Sequence, residues 1–138
     1  MNGDTFGSVE MQMLWLSAAL GLVQILIVVV CSGLAGRTAW ALGPRDEAGP
    51  PFGKVGARLE RALKNFLETF VLFAAVVLMA QALGRHTSMS ALGAQLFFWT
   101  RLAYVPAYAA GIPMLRTLIW TVGFVGIVLV LLAVHPSV

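Results

Sequence analysis

The sequence predicts an all-α membrane protein built as a bundle of four transmembrane helices. Of its 138 residues, 59% are hydrophobic and only 11% are charged, whereas charged residues normally make up about a quarter of a soluble domain. The mean hydropathy is +0.88, and the apolar residues are concentrated in long runs with few charges. The length fits a single domain over residues 1–138, most of whose surface we expect to contact lipid.

The first span is predicted over residues 11–37. Residues 11–36 carry no charge, and this run exceeds the ~20 residues that a helix needs to cross the hydrocarbon core of a bilayer. The preceding segment contains Asp4 and Glu10 but no basic residue, which does not fit the positively charged start of a secretory signal peptide. We therefore expect this span to be retained.

The second span is predicted over residues 61–84. Its uncharged part, residues 69–84, would cover only ~24 Å at ~1.5 Å per residue, which is short of the ~30 Å hydrocarbon core. The helix therefore has to extend back through Glu68 and Asn65 to Arg61.

The third and fourth spans are predicted over residues 89–109 and 113–134. The uncharged run of the third is also short, so its helix is expected to continue past Arg101. Pro113 suits the first turn of the fourth helix, where its missing N–H is no loss. Glycine and proline residues interrupt the segment 38–60, which is therefore predicted to be a flexible loop.

Basic residues indicate how the spans are oriented. Six of them flank the first loop, namely Arg37, Arg45, Lys54, Arg58, Arg61 and Lys64. The positive-inside rule then places the first and third loops in the cytoplasm and both termini outside. Compact loops, with no targeting segment before the first span, indicate a bacterial inner membrane. Because the basic residues lie near span boundaries rather than in a stripe with aromatic residues, no nucleic-acid partner is expected.

Polar residues form a stripe on each of two predicted helices. On the second helix the stripe consists of Arg58, Arg61, Asn65 and Glu68, at spacings of three, four and three. On the third helix the stripe consists of the aromatic Phe97 followed by the polar Arg101, Tyr104 and Tyr108, at spacings of four, three and four. Such spacings place each set on one face of its helix. Arg116 begins the fourth helix at the same level, so the pattern favours one shared polar site.

Other interpretations of these residues remain open. Arg58 and Lys64 could extend to the lipid headgroups, as boundary cations often do. Glu68 could form a structural ion pair with Arg61 or Arg101. The tyrosines could belong to the aromatic belt at the membrane interface.

The residue types indicate what a shared site would bind. Guanidinium groups match carboxylates with two parallel hydrogen bonds, a carboxylate suits an ammonium group, and a carboxamide suits a peptide bond. The expected ligand is a small anionic, peptide-like molecule with carboxylates and one amine. No metal is expected, because His86 and His135 lie far apart in the sequence without other metal-ligand residues in a cluster, and Cys31 is the single cysteine.

Two motifs resemble those of the MAPEG family, the membrane-associated proteins of eicosanoid and glutathione metabolism. The pattern R-A-x-x-N-F-x-E lies on the second helix, and R-x-x-Y-x-x-x-Y lies on the third and is followed by Arg116. The residues that carry the first pattern are Arg61, Ala62, Asn65, Phe66 and Glu68. The resemblance extends over nearly the whole chain and is to a bacterial-type member.

The resemblance implies a homotrimer that binds glutathione between neighbouring subunits, near the cytoplasmic side. Arg116 would stabilise the thiolate, with Thr117 as a hydroxyl beside it. The residues implied to bind the tripeptide are Arg37, Arg58, Arg61, Asn65, Glu68, Arg101, Tyr104 and Tyr108. Glutathione would be a co-substrate, and no metal is implied.

Three functions are consistent with these expectations. The first is a glutathione transferase or peroxidase that acts on an apolar, lipid-soluble electrophile or hydroperoxide from the membrane lipid. The second is a non-catalytic lipid- or glutathione-binding protein of the same fold. The third is a small four-span exporter that uses Glu68 as its proton carrier, which the neighbouring arginines argue against.

Overall fold

A computed structural model describes residues 7–136, and it is all-helical within that range. The helices are α1 (Val9–Leu34), α2 (Thr38–Leu42), α3 (Gly53–Leu83), α4 (Ser88–Ala110) and α5 (Pro113–Ala133). The predicted all-α class is therefore confirmed. Helix α2 is a single short turn of the first loop, and the other four helices run the length of the bundle.

Three of the helices are long and apolar enough to cross a membrane. Helices α1, α3 and α5 contain windows with mean hydropathies of 2.5, 2.1 and 2.2, and the chain is an integral membrane protein. Helix α4 has 23 residues, which is long enough to cross a membrane. It is less apolar than the other three, because serine, glutamine and Arg101 interrupt its hydrophobic residues. The fourth crossing thus stays a prediction.

The first loop is more ordered than the segment 38–60 was expected to be. It contains α2, and α3 begins at Gly53, eight residues before the predicted span. At ~1.5 Å per residue, α3 is roughly 46 Å long and exceeds the ~30 Å hydrocarbon core. The helix is therefore longer than one crossing requires, and its first two turns carry Lys54 and Arg58. All prolines of the segment 38–60 lie between α2 and α3, whereas Gly53 and Gly56 belong to the first turn of α3.

Local signals in the sequence explain where the helices end. Gly84 and Gly111 follow α3 and α4 with φ angles of 62° and 74°, a left-handed conformation that suits glycine after a helix. Thr87 and Ser90 form a reciprocal capping box at the start of α4, and Pro113 occupies the first turn of α5. These caps produce the tight turns between α3, α4 and α5.

Aromatic side chains and close helix contacts hold the bundle together. Phe73 of α3 stacks on Phe97 of α4 with ring centroids 4.0 Å apart, and both are fully buried. Helices α4 and α5 cross at Gly93 and Gly126, where a Cβ on either glycine would lie 2.5 Å from the carbonyl oxygen of the other. Small residues at such crossings allow membrane helices to approach closely.

A buried polar contact joins α1 to the start of α4 at the end of the bundle where α1 begins. The Ser90 hydroxyl donates to a carboxylate oxygen of Glu10, and His86 Nδ1 lies 3.4 Å from the other oxygen. Glu10 is only 2% exposed. This contact ties the first helix to the rest of the bundle, and the sequence pattern gave no indication of it.

Candidate functional site

The polar stripes of α3 and α4 face each other. Arg101 Nη1 donates a hydrogen bond of 2.8 Å to Asn65 Oδ1. Arg61 Nε donates to the Tyr108 hydroxyl at 3.3 Å. Two pairs at successive levels therefore join the helices, as expected if both sets of residues belong to one site.

Helix α5 contributes Arg116 to this group. Its guanidinium carbon lies 4.9 Å from the centre of the Tyr108 ring, and the Tyr108 and Tyr104 rings are 5.4 Å apart. A cation over a tyrosine face is held by the negative potential of the ring. We call the resulting group the polar cluster, and its members are Arg61, Asn65, Arg101, Tyr104, Tyr108 and Arg116.

Arg101 is the most deeply buried cation of the cluster. It is 1% exposed, and its guanidinium carbon lies 5.5 Å and 5.3 Å from the ring centres of Phe97 and Tyr104. Gly123 of α5 leaves room for the neighbouring Thr100, because a Cβ there would lie 2.6 Å from Thr100 Oγ1. Within residues 7–136, the Nε and Nη2 atoms of Arg101 have no hydrogen-bond partner. Unpaired donors of a buried cation are costly, so this position favours an additional acceptor.

Glu68 lies beside the cluster but on the outer surface of the protomer. It forms no salt bridge with Arg61 or Arg101 in the described part of the chain, so the structural ion pair considered from the sequence is not formed there. It is seven residues beyond Arg61, or roughly 10 Å further along the helix. A carboxylate at that depth with lipid beside it would be unfavourable.

Arg58 has a partner at the end of α4. Its Nη1 donates to the carbonyl oxygen of Ala109 at 3.2 Å, and a Cβ at Gly111 would lie 2.6 Å from the guanidinium. Arg58 therefore occupies the space that this glycine leaves and satisfies a terminal carbonyl of α4. This contact gives Arg58 a structural role. In the sequence, Gly111 directly after a predicted helix indicates a tight helix end, where a cation can bind the last carbonyl groups.

Thr117 is exposed at the start of α5, next to Arg116. Its hydroxyl donates to the carbonyl oxygen of Pro113 at 3.2 Å, within its own helix. The oxygen retains acceptor capacity, but in the described structure the Thr117 hydroxyl forms no hydrogen bond with the polar cluster.

Arg37 lies apart from the polar cluster within one protomer. Its guanidinium sits between two rings of the first loop, 4.8 Å from the Trp40 centre and 4.3 Å from the Phe52 centre. It lines a cavity of about 420 Å³ that no member of the polar cluster lines. Arg37 lies after the end of α1, where helical periodicity no longer relates residues to one another. Its neighbours could therefore not be predicted from the sequence.

The comparisons with known proteins agree with the resemblance in the motifs. No curated protein matches the chain. The model of the MAPEG family matches residues 13–135, which include every residue of the polar cluster and nearly the whole chain. The chain therefore belongs to the MAPEG family.

Proposed function

We propose that this protein is a glutathione-dependent membrane enzyme, which activates the glutathione thiol for conjugation to apolar electrophiles or for reduction of lipid hydroperoxides. Family membership supports a glutathione-related function in a membrane. The observation that carries the proposal is the polar cluster, which joins residues of three helices in one group.

The charges of the cluster complement those of glutathione. The cluster contains three arginines and no carboxylate, and Arg101 has two donors without an acceptor in the described chain. Glutathione supplies two carboxylates and two peptide carbonyls as acceptors, and its ammonium group complements Glu68. Guanidinium groups bind carboxylates through paired hydrogen bonds. We therefore assign Arg61 and Arg101 to the carboxylates, Asn65 to the peptide backbone and Glu68 to the amine.

Arg116 is the proposed activating residue. An unperturbed thiol has a pKa near 8.5, so roughly 3% of it is ionised at pH 7, although the thiolate is the nucleophile. A guanidinium beside the sulfur stabilises the thiolate and increases that fraction. Arg116 is held over Tyr108 and makes no salt bridge within residues 7–136, so its charge is available to an anionic sulfur.

The two reactions share this activated thiolate. In conjugation, the thiol proton passes to water, the sulfur forms a bond to the electrophilic carbon, and the leaving group departs or the double bond takes up a proton. In peroxide reduction, the sulfur attacks the outer oxygen and the O–O bond breaks, which releases an alcohol. A second glutathione then displaces water from the oxidised sulfur and yields glutathione disulfide.

In a homotrimer with the site between protomers, the neighbouring subunit would shield Glu68 from lipid. That carboxylate and Thr117 face outward from a single protomer, where a neighbouring copy would cover them and exclude lipid. The proposal includes four membrane crossings, cytoplasmic first and third loops and a bacterial inner membrane, in line with the positions of the basic residues.

The proposal is tested by ultraviolet difference spectroscopy of the purified protein titrated with glutathione at neutral pH. We expect a saturable thiolate absorbance that is lost in Arg116→Ala, while equilibrium dialysis shows that this variant still binds glutathione. Lys64→Ala is the matched control, because it removes an exposed cation outside the cluster. Binding without a thiolate signal in the wild-type protein would favour the non-catalytic alternative, and no binding at all would refute the proposed enzyme and leave only the lipid-binding form of that alternative.

A further inference from the structure

We propose that α4 pairs with the α4 of a second copy of this chain, through an exposed seam that contains the Gln95 carboxamide. The α4 seam consists of Leu92, Gln95, Trp99 and Leu102, all of which are exposed on the protomer. The inference rests on the proposed membrane crossing of α4, which makes the seam face lipid, but it does not involve the thiol chemistry.

The first argument is the unpaired carboxamide of Gln95. This side chain forms no hydrogen bond with the described residues, although a carboxamide offers two N–H donors and one carbonyl acceptor. Such a group in hydrocarbon without a partner is unfavourable. Polar residues of membrane helices almost always face the protein interior or a water-filled cavity, so an exposed amide indicates a polar partner outside the protomer.

The second argument is the depth of Gln95 in the bilayer. Phe97, two residues further along α4, stacks on Phe73, which precedes the end of α3 at Leu83 by almost three turns. At ~1.5 Å per residue, Gln95 therefore lies roughly 12 Å inside that end of the bundle. Half of the hydrocarbon core is only ~15 Å thick, so Gln95 is too deep for its side chain to extend to the headgroups.

The third argument is Trp99, which lies one turn further along the same seam. It is 59% exposed, and its ring contacts Phe98 edge-on with the centroids 5.0 Å apart, but its Nε1 donates to no acceptor within residues 7–136. Exposed tryptophans of membrane proteins are concentrated at the two interfaces, where the indole N–H meets polar groups. Trp99 therefore adds a second unpaired donor close to Gln95.

The α4 seam lies away from the polar cluster. Tyr104 follows Gln95 by two and a half turns, at ~3.6 residues per turn, so the two side chains are on opposite sides of α4. Tyr104 is buried, whereas Leu92 and Leu102 of the seam are 51% and 42% exposed. A partner at the seam would thus leave the proposed glutathione site unobstructed.

A second copy of the chain supplies the partner groups. Two carboxamides related by a twofold axis can each donate to the carbonyl oxygen of the other, so Gln95 complements itself in an isologous contact. The seam residues are spaced by three, four and three, which matches the heptad pattern of two helices that cross at about 20°. A single amide within such a pattern fixes register and pairing. In lipid, the apolar members supply packing and the carboxamides supply interhelical hydrogen bonds.

Pairing at this seam would extend the proposed assembly. Each protomer of a homotrimer would carry one seam, so contacts between seams would join trimers side by side in the plane of the membrane. The twofold axis would run along the membrane normal, because all copies share one orientation.

The first test is disulfide cross-linking in native membranes. Gln95→Cys is introduced into a Cys31→Ala background and oxidised with copper phenanthroline. We expect a covalent dimer, because residues that face each other across the seam bring their Cβ atoms within the ~4 Å that a disulfide requires. Leu102→Cys, two turns further along the seam, should give the dimer as well. Leu96→Cys is the matched control at the same depth and should give little dimer, since Leu96 packs against Gly126 of α5.

The second test measures the affinity of pairing. Protein is purified in two batches, with a donor or an acceptor fluorophore at the N-terminus, and energy transfer is followed in liposomes at decreasing protein-to-lipid ratios. Gln95→Leu should weaken association about eightfold, the effect of two interhelical hydrogen bonds of average strength, and Gln95→Asn should recover part of the loss. Thr121→Val is the matched control, because this exposed hydroxyl donates within its own helix.

Four results would overturn the proposal. Equal dimer yields from Gln95→Cys and Leu96→Cys would indicate random collision. Equal energy transfer for the wild-type protein and Gln95→Leu would show that the carboxamide does not contribute. A cross-link to a different protein, with no association of the purified chain, would assign the seam to that partner. Loss of glutathione binding in Gln95→Leu would place the seam in the thiol site. The dimer is expected whether or not glutathione is activated, so this proposal and the proposed function can fail separately.

Discussion

The contact between Asn65 and Arg101 leads to a sharp prediction about stability. Asn65→Ala removes the one side-chain acceptor that Arg101 has among the described residues, at a donor–acceptor distance of 2.8 Å. Arg101 is 1% exposed, so it has little access to water that could replace the bond. The variant therefore leaves a buried guanidinium with its donors unpaired.

The expected loss follows from the energy of such bonds. A hydrogen bond to a charged group contributes about 1.5–3 kcal/mol. For a chain of this size, that loss corresponds to a decrease of about 5–12 °C in the melting temperature. Asn65→Asp keeps an acceptor at nearly the same position and adds an opposite charge, so it should restore most of the stability.

The assay is thermal unfolding of the purified protein in one fixed detergent, followed by circular dichroism. Thr69→Ala is the matched control, because Thr69 is also buried on α3 but donates only to carbonyl groups of its own helix. We expect this control to lose less than about 1 kcal/mol. The double variant Asn65→Ala with Arg101→Leu should be more stable than Asn65→Ala alone, since it removes the stranded charge as well. An Asn65→Ala variant as stable as Thr69→Ala, or a double variant less stable than either single one, would refute the reasoning.

Three further contacts yield predictions that the same unfolding assay can check. Gly93→Ala should lower the stability by about 1–3 kcal/mol through overpacking, because its Cβ would lie 2.5 Å from a backbone oxygen of α5. Gly111→Ala should cost about 1–3 kcal/mol, since it combines a φ of 74° with a clash against the Arg58 guanidinium. Ser90→Ala should cost about 1.5–3 kcal/mol, because it removes the hydroxyl that donates to the buried Glu10 carboxylate.

Each of these variants has a matched control. Gly33→Ala introduces a Cβ on α1 with no atom closer than 3.9 Å, so a comparable loss there would show that overpacking does not explain Gly93→Ala. Gly84→Ala shares the left-handed backbone of Gly111 but has open space around it, which separates the backbone strain from the clash. Ser88→Ala changes an exposed serine in the same turn as Ser90, and an equal effect of both would contradict the role of Glu10.

Helical periodicity explains which parts of the site were predictable. Asn65, Arg101 and Tyr108 were placed in one group because polar residues within apolar helices must share a face, and that face must meet another polar one. The all-α class followed from the same apolar runs. The partners within the group, such as Arg61 with Tyr108, depend on helix packing and could only be read from the structure.

Contacts outside the periodic segments were not predictable. Arg37 follows the end of α1, and nothing in its spacing indicates the ring of Phe52, which is fifteen residues away. Glu10 meets Ser90 across 80 positions of sequence, a separation at which a single sequence holds no information about pairing. The start of α3 at Gly53 was missed because the preceding prolines and glycines dominate the local composition.

Because Arg58 binds the end of α4, the turn before α5 is connected to α3 and does not move independently of it. The hydrogen bond of Arg58 to Ala109 connects the first turns of α3 to that turn, and Arg116 lies only five residues after Gly111. We therefore expect a tilt of the first turns of α3 to displace the start of α5. Such a displacement would reach Arg116, the residue that we propose activates the thiol.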